Sequence, residues 1–243
     1  MSSKEEEKDL KSGWLPLESN PALLNKFNEK MGVADKIQWG DVYGLTDDML
    51  EWVAKPVLAL TLLFPITKNN IQFKKQQKEK IDKDGGQMLS KKLFYLTQLD
   101  GFGNACGTIA CIHALANNEI KFEDDSPLKH YISKNLENSA KERGENLLRA
   151  KGIRKSSEKT AQSTEASTRC PDRTERLNAH FITFVNVEDS LYELDGRKAF
   201  PINHGKTSKA SFLKDAATVI REKFMKLDPE NGMFNVMALS KVT

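Results

Sequence analysis

The sequence predicts a mixed α/β domain, and three observations carry that prediction. Apolar residues recur at helical spacing behind capping residues, VLALTLLFPI reads as a fully buried strand, and HFITFVNV and LYELDG flank Glu188-Asp189-Ser190 as a hairpin would. The 243 residues, 39% apolar and 29% charged, suit one body with a core large enough to preorganise a site.

The elements follow in order. Residues 1–13 are charged and aperiodic and are expected to be a mobile tail, leaving one domain over 14–243. Ser19 or Asn20 caps a helix with Pro21 in its first turn and Leu23, Leu24, Phe27 and Met31 on one face. WGDVYG is a short extended piece, a second helix starts at Thr46 or Asp47 and ends before Pro56, and the buried strand comes next. Lys68 to Lys92, rich in lysine and glutamine, reads as surface helix plus loop. LFYLTQ is strand-like, the turn DGFGN feeds a helix reaching Asn117, and residues 123–145 carry one or two more helices from Ser126-Pro127. Residues 151–174 hold almost no large apolar side chain and read as a long flexible loop. After the hairpin, a helix from Ser211 to Met225 and the strand FNVMALS close the domain.

Composition excludes several classes of function. Thirty-seven basic against thirty-four acidic residues leave +3, spread without a basic arm, so no nucleic-acid partner is expected. The amino terminus lacks an apolar h-region and the longest apolar run, Pro56 to Ile66, is 11 residues, too short to cross a bilayer. Three cysteines, an odd number, point to a reducing compartment, cytosol or nucleus.

Of these, Cys106 has neighbours that suggest chemistry. In GNACGTIACIHALANN it lies where a glycine-rich turn enters a helix, where unpaired N–H groups and the helix dipole favour the thiolate. The bland alternative is a small core filler. Among the four histidines, His113 is two turns along the same helix, about 10 Å away, and suits the core better than proton transfer. His130 sits in a polar helix and His204 in a Pro-Ile-Asn-His-Gly turn, both suited to solvated or structural roles. His180 opens the hairpin and Asp195 closes it. A two-residue turn at 188–189 sets His180 opposite Arg197, and one at 189–190 sets it opposite Ala199. Either leaves Asp195 on the same face, within reach in the nearer register, whereas a three-residue turn puts the pair on opposite faces. A zinc site from Cys106, Cys111 and His113 fits no common spacing, and no metal or organic cofactor is expected.

WLPLESNP, DVYG, LLFPIT, Gln98, NACGTIACIHALANN, KERG, HFITFVNVEDSLYELDGRKAFPINHG and FNVMALS occur in this order from Trp14 to Ser240. With these motifs the chain resembles the ubiquitin carboxyl-terminal hydrolases, cysteine deubiquitinases, in their small single-domain form. The resemblance implies a papain-like α/β fold, a central antiparallel sheet between helices with a knotted backbone. It implies Cys106 as nucleophile, His180 as general base and acid, Asp195 as its orienter, and Gln98 with the Cys106 N–H as the oxyanion hole. It also implies that 151–174 is the family's crossover loop above the cleft, and that Pro16, Leu17, Asp41, Val42, Ala179 and Phe212 contact ubiquitin. The partner implied is ubiquitin or the ubiquitin-like modifier NEDD8, met by a monomer.

One departure stands out. Seven residues separate Gln98 from Cys106 where the family keeps five. If Asp100-Gly101 bulges outward, Gln98 still reaches the oxyanion; if not, Asp100 takes its place and repels it. Two other classes remain open from sequence: a ubiquitin-binding protein with little or no hydrolysis, and another Cys-His-Asp acyl-transfer enzyme.

Overall fold

In the computed structural model, which describes residues 12–242, the first helix forms where its cap is supplied. The Asn20 side chain accepts the N–H groups of Ala22 and Leu23 and Pro21 occupies the first turn of α1 (Pro21–Lys30), whose Leu23, Leu24 and Phe27 are buried. Next come β1 (Ile37–Asp41), the single turn α2 (Asp47–Leu50), β2 (Val57–Pro65) and α3 (Lys68–Lys83). Then α4 (Cys106–Ala116) and α5 (Pro127–Lys134) lead to α6 (Ala140–Arg149), which opens on a capping box of Ser139 and Glu142. The helix α7 (Lys151–Ala161), the strands β3 (Ala179–Val187), β4 (Ser190–Leu194) and β5 (Ile202–Lys206), α8 (Phe212–Lys223) and β6 (Asn235–Lys241) complete the domain.

The six strands form one sheet in the order β1-β6-β2-β3-β4-β5, with every neighbouring pair antiparallel. It is buried on both faces, which is why β2 is apolar at both parities. Leu60, Leu62, Phe64, Ile182 and Phe184 pack with α2 and α8. Ala59, Phe181, Val185, Met237 and Leu239 face a larger core that includes residues of α1, α4, α5, α6 and α7. The β3–β4 hairpin turns at Glu188 and Asp189, both with positive φ, and pairs Val187 with Ser190. That is the two-residue turn whose twist matches its strands.

Three expectations need correction. LFYLTQ forms no strand, because side chains and other segments take up its backbone groups. The Asn117 amide accepts from the Phe94 N–H and donates to the Phe94 carbonyl, 2.7 Å each, and His113 Nε2 accepts the Leu96 N–H at 3.1 Å. Thr97 and Gln98 donate to the carbonyls of Ala140 (2.9 Å) and Gly196 (2.7 Å). Pattern alone reads an extended buried segment as a strand whether or not a neighbour strand exists.

Residues 151–161, expected in a flexible loop, are the helix α7. Its buried face consists of Ile153, Arg154, Ser157, Thr160 and Ala161, so small and charged groups replace large apolar ones. Ser157 and Thr108 of α4 share a hydroxyl hydrogen bond of 2.6 Å, and both Arg154 and Arg173 bond the Glu158 carboxylate. The irregular connection is therefore 162–178, and it is tied down: Glu18 accepts the Ser167 N–H at 2.9 Å and Asn104 donates to the Glu175 carbonyl at 2.9 Å. Thirdly, His204 lies on the edge strand β5 rather than in a turn. Of the expected tail, 1–11 lie outside the described residues, while Gly13 is buried and its carbonyl accepts from Arg154 at 2.9 Å and Arg173 at 3.0 Å.

The contact of α6 with the 93–98 segment gives a test of packing. A Cβ at Gly144 would stand 2.3 Å from the Thr97 carbonyl oxygen, whereas one at Gly152 on α7 would meet nothing within 4 Å. Gly144→Ala is expected to lower unfolding free energy in urea by about 2–3 kcal/mol, and Gly152→Ala to leave it unchanged or raise it by up to ~1 kcal/mol.

Candidate active site

Cys106 is the first residue of α4, and Ala105 before it offers no side-chain cap, so the helix begins with unclaimed N–H groups around the sulfur. Gly107 lets this end of the helix lie close beneath its neighbours: an added Cβ would be 3.1 Å from Leu17 Cβ and 3.3 Å from the Phe181 ring. That packing sets Cys106 beside His180 at the start of β3. The hairpin register, continued three residues past Thr183↔Leu194, sets His180 opposite Arg197, as the nearer alternative requires. His180 Nε2 and Asp195 Oδ1 are 2.6 Å apart.

The three groups are almost wholly enclosed, and His180 and Asp195 are 4% and 3% exposed. Burial opposes each charge, and the neighbours outweigh it. For Cys106, burial alone would raise the thiol, but the neighbouring His180 with its charge, the Phe181 N–H and Arg197 hold it below its ordinary value. For His180, burial works against the proton, yet the Asp195 charge and hydrogen bond, reinforced by Cys106, raise its pKa to about 9. Asp195 is held well below the carboxylate range despite burial, by His180 first and then by Lys74 and Lys198. With Nε2 on Asp195, the buried Nδ1 has no hydrogen-bond partner among the described residues and is the nitrogen left for the sulfur. The arrangement sets a cysteine whose surroundings favour the thiolate beside an imidazole whose surroundings favour its proton, with a carboxylate behind it.

The turn carrying Asp195 is held from several sides. Its Oδ1 also accepts the Arg197 N–H at 2.8 Å, and the Tyr95 hydroxyl lies 2.7 Å from the carbonyls of Asp195 and Lys198. Below it, the fully buried Glu193 bonds Lys198 and, at 2.8 Å, His204 Nε2. Sequence reasoning passed over Tyr95, Glu193, Lys198 and Lys74. A tyrosine among apolar neighbours and a glutamate inside a strand were the available signals, since a buried polar group requires a partner.

Gln98 sits against the same corner: an added Cβ at Gly196 would be 3.1 Å from Gln98 Cβ. Its Nε2 donates to the Gly103 carbonyl at 3.1 Å and its buried Oε1 has no partner among the described residues. The insertion is a 3₁₀ turn, Asp100–Phe102, with Asp100 exposed and Phe102 fully buried against Trp14, ring centroids 5.4 Å apart. The outward bulge is the alternative observed.

His113 is fully buried, stacked on Tyr95 at 5.3 Å, with burial lowering its pKa to about 3. Burial also pushes the Cys111 thiol far up, which removes it from chemistry at neutral pH. Of the residues expected on a partner-binding surface, Asp41 and Val42 line a 540 Å³ cleft with Tyr43, Arg221, Met225 and Phe234, and Ala179 lies half-buried beside His180. Leu17, Phe212 and Pro16 lie inside the fold. Leu17 is 3% exposed beneath α4, Phe212 is 1% exposed in the core under α8, and Pro16 is buried too, so packing claims their side chains.

Comparison with known proteins bears on this geometry. The sequence model of ubiquitin carboxyl-terminal hydrolase, family 1, matches residues 14–226. The chain is 42% identical to a ubiquitin carboxyl-terminal hydrolase of Drosophila melanogaster and 41% identical to the human ubiquitin carboxyl-terminal hydrolase isozyme L1, in each case over 93% of this chain and 97% of the relative. Its fold is that of the Trichinella spiralis UCH37 catalytic domain, solved bound to ubiquitin vinyl methyl ester, with a TM-score of 0.74 at 21% identity, covering 95% of this chain and 96% of that one. A match of this extent, over a chain with the cysteine, histidine and aspartate gathered at one helix end, has one reading: the protein belongs to the ubiquitin carboxyl-terminal hydrolase family.

Proposed function

We propose that this chain is a thiol-dependent hydrolase that cleaves small adducts or peptides from the carboxyl-terminal glycine of ubiquitin. The observation that carries the reading is the enclosed Cys106–His180–Asp195 arrangement in a chain whose residues 14–226 match this family. The Cys106 thiolate attacks the glycine carbonyl carbon, and the oxyanion accepts hydrogen bonds from the Cys106 N–H and Gln98 Nε2. Collapse breaks the bond to the amine, which takes its proton from His180 and leaves a thioester. His180, now neutral, removes a proton from water as it attacks the thioester, and collapse re-forms the thiolate and releases the glycine carboxylic acid, which ionises by losing its proton to solvent.

The cleft beside Asp41, Val42 and the exposed Tyr43 receives the body of ubiquitin, and Ala179, next to His180, meets its tail. NEDD8 is the second modifier we propose, and the protein acts as a monomer. The connection 162–178, pinned to Glu18 and Asn104, is the crossover loop that limits what lies beyond the scissile bond. The three unpaired thiols suit a cytosolic or nuclear setting. No described helix is long and apolar enough to cross a membrane.

Ubiquitin carrying a fluorogenic amide at its carboxyl terminus tests the reading. Wild type should release the fluorophore and Cys106→Ala should bind ubiquitin without turnover; binding without release by wild type would instead make the protein a ubiquitin-binding module. Gln98→Ala is expected to lower kcat by about 10²–10³-fold with little change in KM, as loss of one oxyanion donor does.

The imidazole itself gives a further prediction. His180 binds its proton more tightly folded than unfolded, so its pairing stabilises the fold fully below about pH 6.5 and fades as pH rises through about 9. In Asp195→Asn, burial acts with the main opposing charge removed, and the His180 ring resonance in NMR should titrate at or below about 6.5. Turnover at pH 7 should fall by about 10²-fold or more.

A further inference from the structure

The polar helix α3 reaches the catalytic carboxylate. Lys74 Nζ lies 3.7 Å from Asp195 Oδ2 and donates a hydrogen bond to the carbonyl of Arg197. Asp195 Oδ1 is occupied by His180 Nε2 and the Arg197 N–H, whereas Oδ2 has Lys74 as its ion-pair partner. One turn further along α3, Gln77 Oε1 accepts from Lys198 Nζ at 2.6 Å. The helix therefore grips the Asp195-to-Lys198 turn at two points, and Lys74 also walls a small cavity that His180, Asp195, Phe64, Phe73 and Phe224 share.

We propose that Lys74 is a positioning residue for the hydrolysis: anchored on the Arg197 carbonyl, its ammonium fixes the second oxygen of Asp195 and sets the electrostatic field in which the Cys106–His180 pair holds its charges. The inference rests on the hydrolase reading for its purpose, but its physical content is independent of ubiquitin. A cation beside Asp195 competes with His180 for the carboxylate and favours negative charge at the sulfur. Lys74 itself has its pKa lowered by burial, partly offset by the attraction of Asp195. The charged and titratable groups facing this pair come from every neighbouring element: Lys74 from α3, Tyr95 from the extended segment, Cys106 and His113 from α4, Glu193 from β4, Arg197 and Lys198 from the turn, and His204 from β5 through Glu193. Of these, Lys74 approaches Oδ2 from outside the turn and is 38% exposed, so it can be changed without opening the core.

The test follows the alkylation of Cys106 by iodoacetamide against pH at low ionic strength, read by peptide mass spectrometry in a Cys170→Ser background. Removing a positive charge near the pair disfavours the thiolate and favours the imidazolium, so in Lys74→Met both inflections should move up by about half a unit. Lys74→Arg should restore the wild-type profile. Lys75→Met removes the same charge one residue along, from a lysine paired with Glu79 at 3.8 Å, and should leave the profile in place. An unmoved profile in Lys74→Met overturns the inference, even if turnover falls, because lost packing lowers reactivity without shifting its titration. An equal shift in Lys75→Met overturns it too, as a general charge effect. Absence of ubiquitin hydrolysis in wild type would refute the hydrolase reading and leave this measurement standing.

Discussion

The two-residue turn at Glu188-Asp189 decides where the chemistry stands. A strand has period two, so one added residue in the turn would rotate the whole of β4 and send Asp195 to the face opposite His180. Both turn residues accept positive φ, a conformation that matches the twist of the flanking strands and holds the register. Everything else in the site depends on that alignment, because His180 and Asp195 are too deeply buried to be tolerated apart. A buried imidazolium without its carboxylate, or the reverse, would carry the full desolvation penalty of one charge.

The other half of the site is a matter of closeness. Cys106 gains its environment from the uncapped start of α4, and Gly107 permits that start to lie against Leu17 and Phe181. His180, the Phe181 N–H and Arg197 then outweigh burial, which acts alone on Cys111 and pushes that thiol up. The same helix shows both outcomes, a thiol held below its ordinary pKa at its mouth and one pushed above it five residues in. What separates them is the set of groups each sulfur faces.

Around this centre the fold uses polar side chains where a strand or an apolar face was expected. Asn117 and His113 satisfy the backbone of the 93–98 segment, so it lies extended against α4 and carries Gln98 to the Asp195 corner without belonging to the sheet. Glu158 gathers two arginines, one on α7 and one on the connection that follows, and so turns a sequence poor in large apolar residues into an anchored structure. The inserted residues before the nucleophile are absorbed likewise: Phe102 goes inward against Trp14 and Asp100 outward.

The sequence by itself determined the features that depend on neighbours along the chain. Caps, a glycine-rich entry to a helix, an apolar run and a hairpin grammar are local, and so α1, β2, α4, the β3–β4 hairpin and the roles open to Cys106, His180 and Asp195 were legible. The family motifs added Gln98 to the expected site, and the structure sets it against the Asp195 corner. Only the tertiary structure decided what depends on partners far along the chain. It gave the Leu93–Gln98 segment side chains instead of a strand, gave α7 its polar buried face, and put Leu17 and Phe212 in the core. It also chose between the two fates of the insertion and brought Lys74 to Asp195. Periodicity records that a residue is buried and is silent on what buries it, because hydrogen bonds and charges are satisfied by proximity in space.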